Sequence, residues 1–323
     1  RGFVEVRRCA MEIKTCCDSQ LLIVGGSGFI GQHVVKKSLE QGFNTTVLSK
    51  NNCKDIDKLY NVEYLTADIS NQESLLIVLE GKIFDYVVNL GGYVNHSSYS
   101  NGGSEVYDVH FNGVRNLFDC LDKSKIRRFV QIGSSDEYGN NPAPQSETQR
   151  ESPISPYSCA KVASTYFLQT LYKTEKFPVV ILRPFLVYGP GQGGDRLIPQ
   201  IIKGCVENQE FPVSKGDQIR DFCYVNDFVN AIFVSIGNKN TYGEVVNIAS
   251  GTAIQIKHLI NKIVNLIGKG RPEFGKIQYR IEENMSLYAD VSKAGDLLKW
   301  RAIVPIEDGL KKTIIYYQEK QSK

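Results

Sequence analysis

A tyrosine and a lysine four residues apart, Tyr157 and Lys161, have the types and spacing needed for proton transfer. Side chains at positions i and i+4 of a helix share one face, so the ammonium group is expected beside the phenol. A nearby cation lowers a phenol pKa, which helps tyrosine exchange a proton with a hydroxyl or a carbonyl near neutral pH. Two other pairs share the spacing, and we interpret them as solvated helix pairs: Tyr172 with Lys176, and Tyr316 with Lys320.

The position of Tyr157 distinguishes it from the other two tyrosines. It follows the segment 152–156 (S-P-I-S-P), which predicts that it lies in the first turn of a helix, beside a loop. That loop leads back to the segment 133–139 (G-S-S-D-E-Y-G), directly after a predicted strand. The ends of parallel strands are where α/β folds bind ligands. Asp136 and Glu137 in this segment are adjacent carboxylates that can act as acid and base.

Three glycines near the start of the chain have the spacing G-x-x-G-x-x-G: Gly25, Gly28 and Gly31. They lie between a predicted strand and a predicted helix. Phosphate groups need backbone N–H donors with no Cβ in the way, and a helix N-terminus adds a favourable dipole. This arrangement predicts a dinucleotide-binding loop, with an ordinary glycine-rich turn as the alternative.

The residues after the second predicted strand bear on the choice of dinucleotide. A ribose-binding carboxylate is expected there, but the sequence has Ser49 and Lys50 and no acid. Because Lys50 can meet a 2′-phosphate, we expect NADP(H) to be favoured over NAD(H). Asp68, after the third strand, can accept a hydrogen bond from the adenine amino group, or else is an exposed turn or helix-cap residue.

The first half of the chain alternates short apolar runs with helical stretches, which predicts an α/β fold: a Rossmann-type doubly wound parallel sheet. Predicted strands are 21–24, 45–48, 62–65, 86–90, 129–132 and 179–182; predicted helices are 29–41, 74–79, 104–123 and 156–176. After Pro184 the pattern becomes a smaller mixed α/β region. Its predicted helices are 195–207, 226–237, 255–268, 292–299 and 305–320, with strands near 245–248 and 276–281. We expect a dinucleotide-binding domain over 18–185, with 218–250 packing back on it, and a substrate-binding domain over 186–323.

Composition restricts the class of protein. The chain has 323 residues, of which 42% are hydrophobic and 23% are charged, as in an ordinary globular protein. Its 38 Lys and Arg against 35 Asp and Glu give a net charge of +3, which does not indicate a nucleic-acid binder. No apolar run approaches the ~18 residues that cross a membrane.

Eight cysteines without a C-x-x-C pair give no metal-site pattern and favour reduced thiols in a cytoplasmic protein. We expect residues 1–17 to be a tag or a disordered start, with Met11 as the natural first residue.

Six motifs occur in a characteristic order, and with them the chain resembles the extended short-chain dehydrogenase/reductases that modify nucleotide sugars, over about residues 18–318. The motifs are the glycine loop, S-S-x-x-Y-G at 134–139, S-P-Y-x-x-x-K at 155–161, L-R-P-F-L-V-Y-G-P-G at 182–191, Arg220-Asp221-Phe222, and Y-A-D-V-S-K-A at 288–294.

The resemblance implies specific roles for residues. Tyr157 would be the general acid/base, Lys161 would hold the nicotinamide ribose, and Ser135, in preference to Ser134, would hydrogen-bond the reacting sugar oxygen. The expected cofactor contacts are Gly25, Gly28, Phe29, Ile30, Gly31, Ser49, Lys50, Asp68, Ile69, Leu90, Gly91, Gly92, Tyr157, Lys161 and Pro184. The expected substrate contacts are Tyr93, His96, Ser135, Arg220 and Arg280, the two arginines clamping the diphosphate of a nucleotide-diphosphate sugar.

The resemblance leaves the reaction open. A 4-keto-6-deoxyhexose reductase or a 4-epimerase acting at carbon 4 is our first expectation. A 4,6-dehydratase that uses Asp136 and Glu137 is the alternative, and a non-catalytic nucleotide-binding relative is a further one. His110 stands where the family has Asn, and Gly91-Gly92 where it has Ala-Ala, which suggests an altered sugar pocket. Family members commonly pair through two long helices, so we expect a homodimer through 104–123 and 156–176.

Overall fold

The computed structural model describes residues 18–53, 58–279 and 283–321. The N-terminal segment 1–17 and Arg280, both subjects of predictions above, lie outside these residues. Within the described part, no helix is long and apolar enough to cross a membrane.

The strands are short, and helices separate the first six of them except β2 and β3, between which the described residues contain no helix. In chain order they are β1 (Gln20–Val24), β2 (Asn44–Ser49), β3 (Val62–Thr66), β4 (Tyr86–Asn89), β5 (Arg128–Ile132), β6 (Val179–Pro184), β7 (Leu186–Tyr188), β8 (Glu210–Val213), β9 (Ile219–Tyr224), β10 (Val245–Ile248), β11 (Ala253–Gln255), β12 (Arg271–Phe274) and β13 (Ser286–Leu287).

The helices vary more in length. They are α1 (Phe29–Glu40), α2 (Gln72–Leu79), α3 (Gly103–Tyr107), α4 (Gly113–Cys120), α5 (Pro156–Glu175), α6 (Leu197–Val206), α7 (Val225–Gly237), α8 (Ile256–Ile267) and α9 (Ile306–Gln321). A π turn, Asp108–Asn112, joins α3 and α4 into one continuous helical segment, and a second π turn covers Ala294–Leu298.

Seven strands form one parallel sheet in the order β10-β6-β5-β4-β1-β2-β3. The sheet is apolar on both faces: Leu21, Leu22 and Ile23 of β1 are all fully buried. One face packs against α1 and α7, and the other against α2, α4 and α5. Continuous apolar strands with helices on both sides are the pattern of a doubly wound sheet, so the predicted fold class is confirmed.

The second half of the chain adds one strand to the large sheet and forms a smaller sheet of its own. Strand β10 pairs with β6 as the seventh strand of the large sheet, with Val245 opposite Ile181. A smaller sheet is built around β9, which pairs in parallel with β7 and β13 and antiparallel with β11. Strands β8 and β12 form a separate parallel pair.

Two predicted elements differ from the structure. The predicted strand at 276–281 is wrong over 276–279, which form a turn and irregular chain; the strand lies earlier, at β12, and 280–281 lie outside the described residues. The helix predicted over 104–123 ends at Cys120, because Leu121 is in extended conformation. The residues after it are polar and satisfy the helix end: Lys123 donates to the Phe118 carbonyl at 3.0 Å.

Candidate active site

The glycine loop lies between β1 and α1, as the sequence predicts. Gly31 has no room for a side chain, because a Cβ there would lie 2.3 Å from the Gly25 carbonyl oxygen. This close approach brings the first turn of α1, which begins at Phe29, against the end of β1. The loop also touches the end of β4, since a Cβ on Gly25 would meet Leu90 at 3.0 Å. Several predicted cofactor residues are therefore brought together at one edge of the sheet.

The residues after β2 are paired with one another. Lys50 forms an ion pair with Asp68, with 2.8 Å between Nζ and Oδ2. Ser49 is hydrogen-bonded through its hydroxyl to Ser27 of the glycine loop at 2.9 Å. A 2′-phosphate bound to Lys50 would therefore have a carboxylate beside it. This arrangement removes the main argument for a preference for NADP(H).

Helix α5 begins where the sequence predicts, at Pro156, and Tyr157 lies in its first turn. Ser155 caps the helix: its side chain accepts from the Ser158 amide at 3.1 Å, and the Ser158 hydroxyl bonds back to Ser155. One turn later, Lys161 is buried and donates to the Ile132 carbonyl at the end of β5, at 2.9 Å. Its Nζ lies 5.8 Å from the centre of the Tyr157 ring.

Ser134 lies beside Tyr157, close enough for its side chain to lower the pKa of the phenol. Ser135, the serine expected to hold the reacting sugar oxygen, is buried in the same turn. Ser134 precedes a 3₁₀ turn, Ser135–Tyr138, and its hydroxyl accepts from the Asp136 amide at 3.1 Å. The turn therefore fixes the Ser134 hydroxyl beside the phenol.

Burial dominates the protonation of the pair. It raises the pKa of the Tyr157 phenol well above its ordinary value, and the nearby Asp136 carboxylate raises it further. Burial also lowers the pKa of Lys161 to about 8. The expected lowering of the phenol pKa by Lys161 is therefore outweighed, because removal from water disfavours the phenolate.

Glu137 is turned into the protein, although the sequence places it beside Asp136. Its side chain is fully buried, and one carboxylate oxygen accepts from Arg183 at 2.6 and 3.0 Å and from Thr165 at 2.8 Å. The other oxygen accepts from the Ser134 amide at 2.9 Å. A carboxylate engaged in this way is held as an ion-pair partner, which argues against the acid or base role expected of Glu137 from the sequence.

Asp136 faces the opposite way and meets a residue from another loop. Its Oδ2 lies 3.6 Å from Nε2 of His96, in the segment after β4, and the two side chains are 31% and 40% exposed. The His96 ring stands edge-on to the Tyr157 ring, with 5.6 Å between centroids. The structure thus brings Asp136, His96 and Tyr157 together.

A second histidine, His110, packs on Tyr157 from within the protein. Their ring centroids are 5.0 Å apart, and His110 Nε2 lies 2.7 Å from the Tyr93 carbonyl oxygen. Burial lowers the pKa of His110 to about 3. A Cβ on Gly92 would lie 2.1 Å from Cε1 of this ring. His110 and Gly92, which both differ from the residues usual in the family, therefore pack directly on each other.

Other predicted substrate residues lie in different surroundings. Arg220 is on β9 and pairs with Glu283 at 2.6 Å.

Arg196 was not predicted from the sequence. It immediately precedes α6 and lies close enough to Tyr157 to lower the pKa of the phenol electrostatically. Its only sequence signal is a basic residue just before an apolar helix, which is too common to single it out.

These residues fit a nicotinamide dinucleotide. Gly25, Gly28 and Gly31 form a cradle that any Cβ would fill, at the N-terminus of α1. Lys161 supplies a buried cation beside the phenol, at the carboxyl ends of the parallel strands.

Comparison with known proteins agrees with this geometry. Residues 21–249 match a family model described as the NAD dependent epimerase/dehydratase family. The dTDP-D-glucose 4,6-dehydratase of Bos taurus is 26% identical over 322 residues, covering 93% of this chain and 89% of its own length. The UDP-glucuronate 4-epimerase of Thermodesulfobacterium geofontis is 26% identical over 315 residues, covering 92% and 96%.

A solved structure has the same fold. The UDP-glucuronic acid 4-epimerase from Bacillus cereus, in complex with UDP-glucuronic acid and NAD, superimposes with a TM-score of 0.84 at 25% identity, covering 93% of this chain and 99% of that one. Since the family model spans well over half of the chain, and the fold and the glycine loop agree with it, this chain belongs to the NAD dependent epimerase/dehydratase family of enzymes.

Proposed function

We propose that this protein is an NAD-dependent 4-epimerase of nucleotide-diphosphate sugars. The observation that carries the proposal is the site around Tyr157: a buried phenol beside Ser134, with Lys161 one helical turn away and Glu137 withdrawn into an ion pair. Such a site can move one proton at a sugar oxygen but lacks the paired carboxylates expected of a dehydratase.

Each residue has a definite task in this proposal. Tyr157, once ionised beside the Lys161 ammonium and the positive charge of bound NAD, takes the proton of the 4-hydroxyl and later returns it to the 4-keto oxygen. Ser134, with Ser135 beside it, holds that oxygen by a hydrogen bond, and Lys161 holds the nicotinamide ribose. Bound NAD would accept the hydride from carbon 4 and return it. Arg220 contributes to the binding of the diphosphate, for which its guanidinium is chemically suited.

We propose NAD(H) as the cofactor in place of the NADP(H) expected from the sequence. Lys50, the cation expected to meet a 2′-phosphate, is paired with Asp68 instead. The Bacillus cereus 4-epimerase, which shares the fold, was solved with NAD. Titration of the purified protein with NAD and NADP, followed by calorimetry, tests this preference directly.

A 4,6-dehydratase is the second candidate, and two observations favour it. Asp136 is one of the two carboxylates that such a reaction needs, and it faces Tyr157. The Bos taurus relative is itself a dTDP-D-glucose 4,6-dehydratase. A reductase of 4-keto-6-deoxy sugars has less support, because the preference for NADPH, one of its two arguments, is weakened by the ion pair of Lys50 with Asp68.

We further propose a homodimer through the segment 103–120 and α5, and a cytoplasmic location. The exposed aromatic ring of Tyr166 on α5 supports the dimer, since 52% of that residue is accessible in the single chain. Half-buried Phe111 lies in the other predicted interface segment.

The deciding experiment mixes the protein with catalytic NAD and, in turn, UDP-glucose, UDP-glucuronic acid and dTDP-glucose. A new stereoisomer at carbon 4 with unchanged mass, identified by NMR, is the expected result. Loss of 18 mass units would identify a dehydratase instead. Net consumption of NADPH with a 4-keto-6-deoxy sugar would identify a reductase.

A further inference from the structure

The turn between Ser134 and Gly139 separates two carboxylates that are adjacent in sequence. Ser134 and Glu137 form a reciprocal capping box around this turn. The box points Glu137 inward, where its side chain is fully buried against Arg183. Asp136 is left 31% exposed on the side that faces Tyr157. The site therefore retains one carboxylate where a dehydratase would need two.

His96 occupies the space beside that carboxylate. Its Nε2 is 3.6 Å from Asp136 Oδ2, close enough for an ion pair when the imidazole is protonated. Its ring is edge-on to the Tyr157 ring at 5.6 Å between centroids. Because 40% of the His96 side chain is exposed, it can reach a ligand, whereas His110 on the other side of Tyr157 is buried.

We infer that His96 and Asp136 form a second acid/base couple, which exchanges protons on the carbon atoms next to a ketone at carbon 4. The inference rests on the proposed function, because oxidation at carbon 4 creates that ketone. Tyr157 is occupied with the oxygen of carbon 4, so proton transfer at carbon 3 or carbon 5 requires a separate group. His96 is an accessible imidazole beside Tyr157, and an imidazole, unlike the guanidinium of nearby Arg196, is suited to this role near neutral pH.

The exchange step balances without any further reactant. Nε2 of His96 faces Asp136 and carries the ring proton, which points at that carboxylate. Nδ1 of the same ring therefore has the free lone pair. Nδ1 takes the proton from carbon 3 or carbon 5; the C–H electron pair forms a C–C double bond, and the carbonyl pair moves to the oxygen at carbon 4. The resulting enolate oxygen is hydrogen-bonded by Tyr157 and Ser134. After the imidazolium has exchanged its proton with solvent, it returns a proton to carbon and restores the ketone.

The test supplies the ketone ready-made, so that it does not depend on oxidation at carbon 4. The protein is incubated in D₂O with dTDP-4-keto-6-deoxyglucose and with its UDP equivalent, and deuterium at carbons 3 and 5 is followed by NMR and mass. We expect incorporation well above the protein-free rate. His96→Gln should reduce it at least about 100-fold, and Asp136→Asn should reduce it as well. His258→Gln, at an exposed histidine on α8, is the matched control and should leave it unchanged.

Each outcome bears on one claim. Exchange at the protein-free rate with both ketones, or exchange that persists in His96→Gln, overturns the second couple. The 4-epimerase assay with UDP-glucose, UDP-glucuronic acid and dTDP-glucose is independent of this result: a protein that exchanges deuterium but inverts none of them refutes the epimerase alone. Equal thermal unfolding midpoints of the His96→Gln and His258→Gln variants exclude a folding defect as the cause.

Discussion

The environment of Tyr157 consists of rings and hydroxyls placed by three separate segments. His96 and His110 contact it from two directions, and Ser134 lies beside its hydroxyl. Of these, only Ser134 belongs to a motif in the sequence. The histidines are separated from Tyr157 by 61 and 47 positions in the printed sequence, and their types alone do not predict contact.

The burial of His110 makes stability depend on pH. Its pKa in the folded protein is about 3, against an ordinary 6.5. Between these values the unfolded chain binds a proton at His110 that the folded chain does not. The stability contributed by the neutral ring is thus complete above pH 6.5 and is lost as the pH falls toward 3. When the pH falls from 7 to 5, the free energy of unfolding of the wild type should decrease by about 2 kcal/mol more than that of His110→Asn, measured by urea unfolding. Equal losses would contradict the burial of this ring.

The contact between His110 and Gly92 predicts energetic coupling. Gly92→Ala should destabilise the protein, since its Cβ would enter the imidazole ring and the backbone has a φ of +128°. In a His110→Asn background the clash is relieved and only the backbone strain persists. A double-mutant cycle by urea unfolding should give a coupling of about 1 kcal/mol or more. Additive effects would mean that the ring does not pack on Gly92.

At the scale of elements, the turn Ser135–Tyr138 decides which carboxylate faces the site. From sequence alone, Asp136 and Glu137 were equivalent candidates, because adjacent residues carry no signal of direction in a loop. Their difference depends on Arg183 of β6, which is distant in sequence and lies one residue beyond the predicted strand 179–182.

The buried ion pair of Glu137 predicts a structural and not a chemical defect on mutation. Glu137→Gln leaves Arg183 in the core with Glu151 as its remaining carboxylate partner, so we expect a loss of about 3 kcal/mol in the free energy of unfolding. Glu244→Gln, which removes a surface ion pair with Lys293, should cost about 1 kcal/mol or less. At low temperature, folded Glu137→Gln should keep turnover within a few-fold of the wild type. A drop at least 100-fold in turnover with unchanged stability would return Glu137 to the acid/base role.

At the scale of the whole molecule, the parallel sheet and its helices were predictable because strands buried on both faces are continuous apolar runs. The runs 21–24 and 179–182 fall inside β1 and β6. The small sheet around β9 was not predictable, since strands such as β13 have two residues and no periodicity. Their position depends on pairing with β9 and not on their own sequence.

The assembly of two copies gives a prediction at the same scale. Tyr166→Arg places a charge on the exposed face of α5, where the proposed dimer would bury it. Light scattering should find a dimer for the wild type and a monomer for this variant. Tyr60→Arg, at a residue that is 89% exposed, should stay dimeric. A wild type that is monomeric at micromolar concentration contradicts the proposed interface.

The central claim is that the Tyr157 hydroxyl carries the proton at carbon 4 while NAD is recycled. Its most direct test is C4 inversion of UDP-glucuronic acid, UDP-glucose and dTDP-glucose with catalytic NAD, comparing the wild type with Tyr157→Phe and Tyr172→Phe. The second variant removes the same atom from another tyrosine–lysine pair of α5. We predict inversion by the wild type and Tyr172→Phe, and a rate at least about 100-fold lower for Tyr157→Phe with NAD affinity retained. Undiminished inversion by Tyr157→Phe would contradict the account.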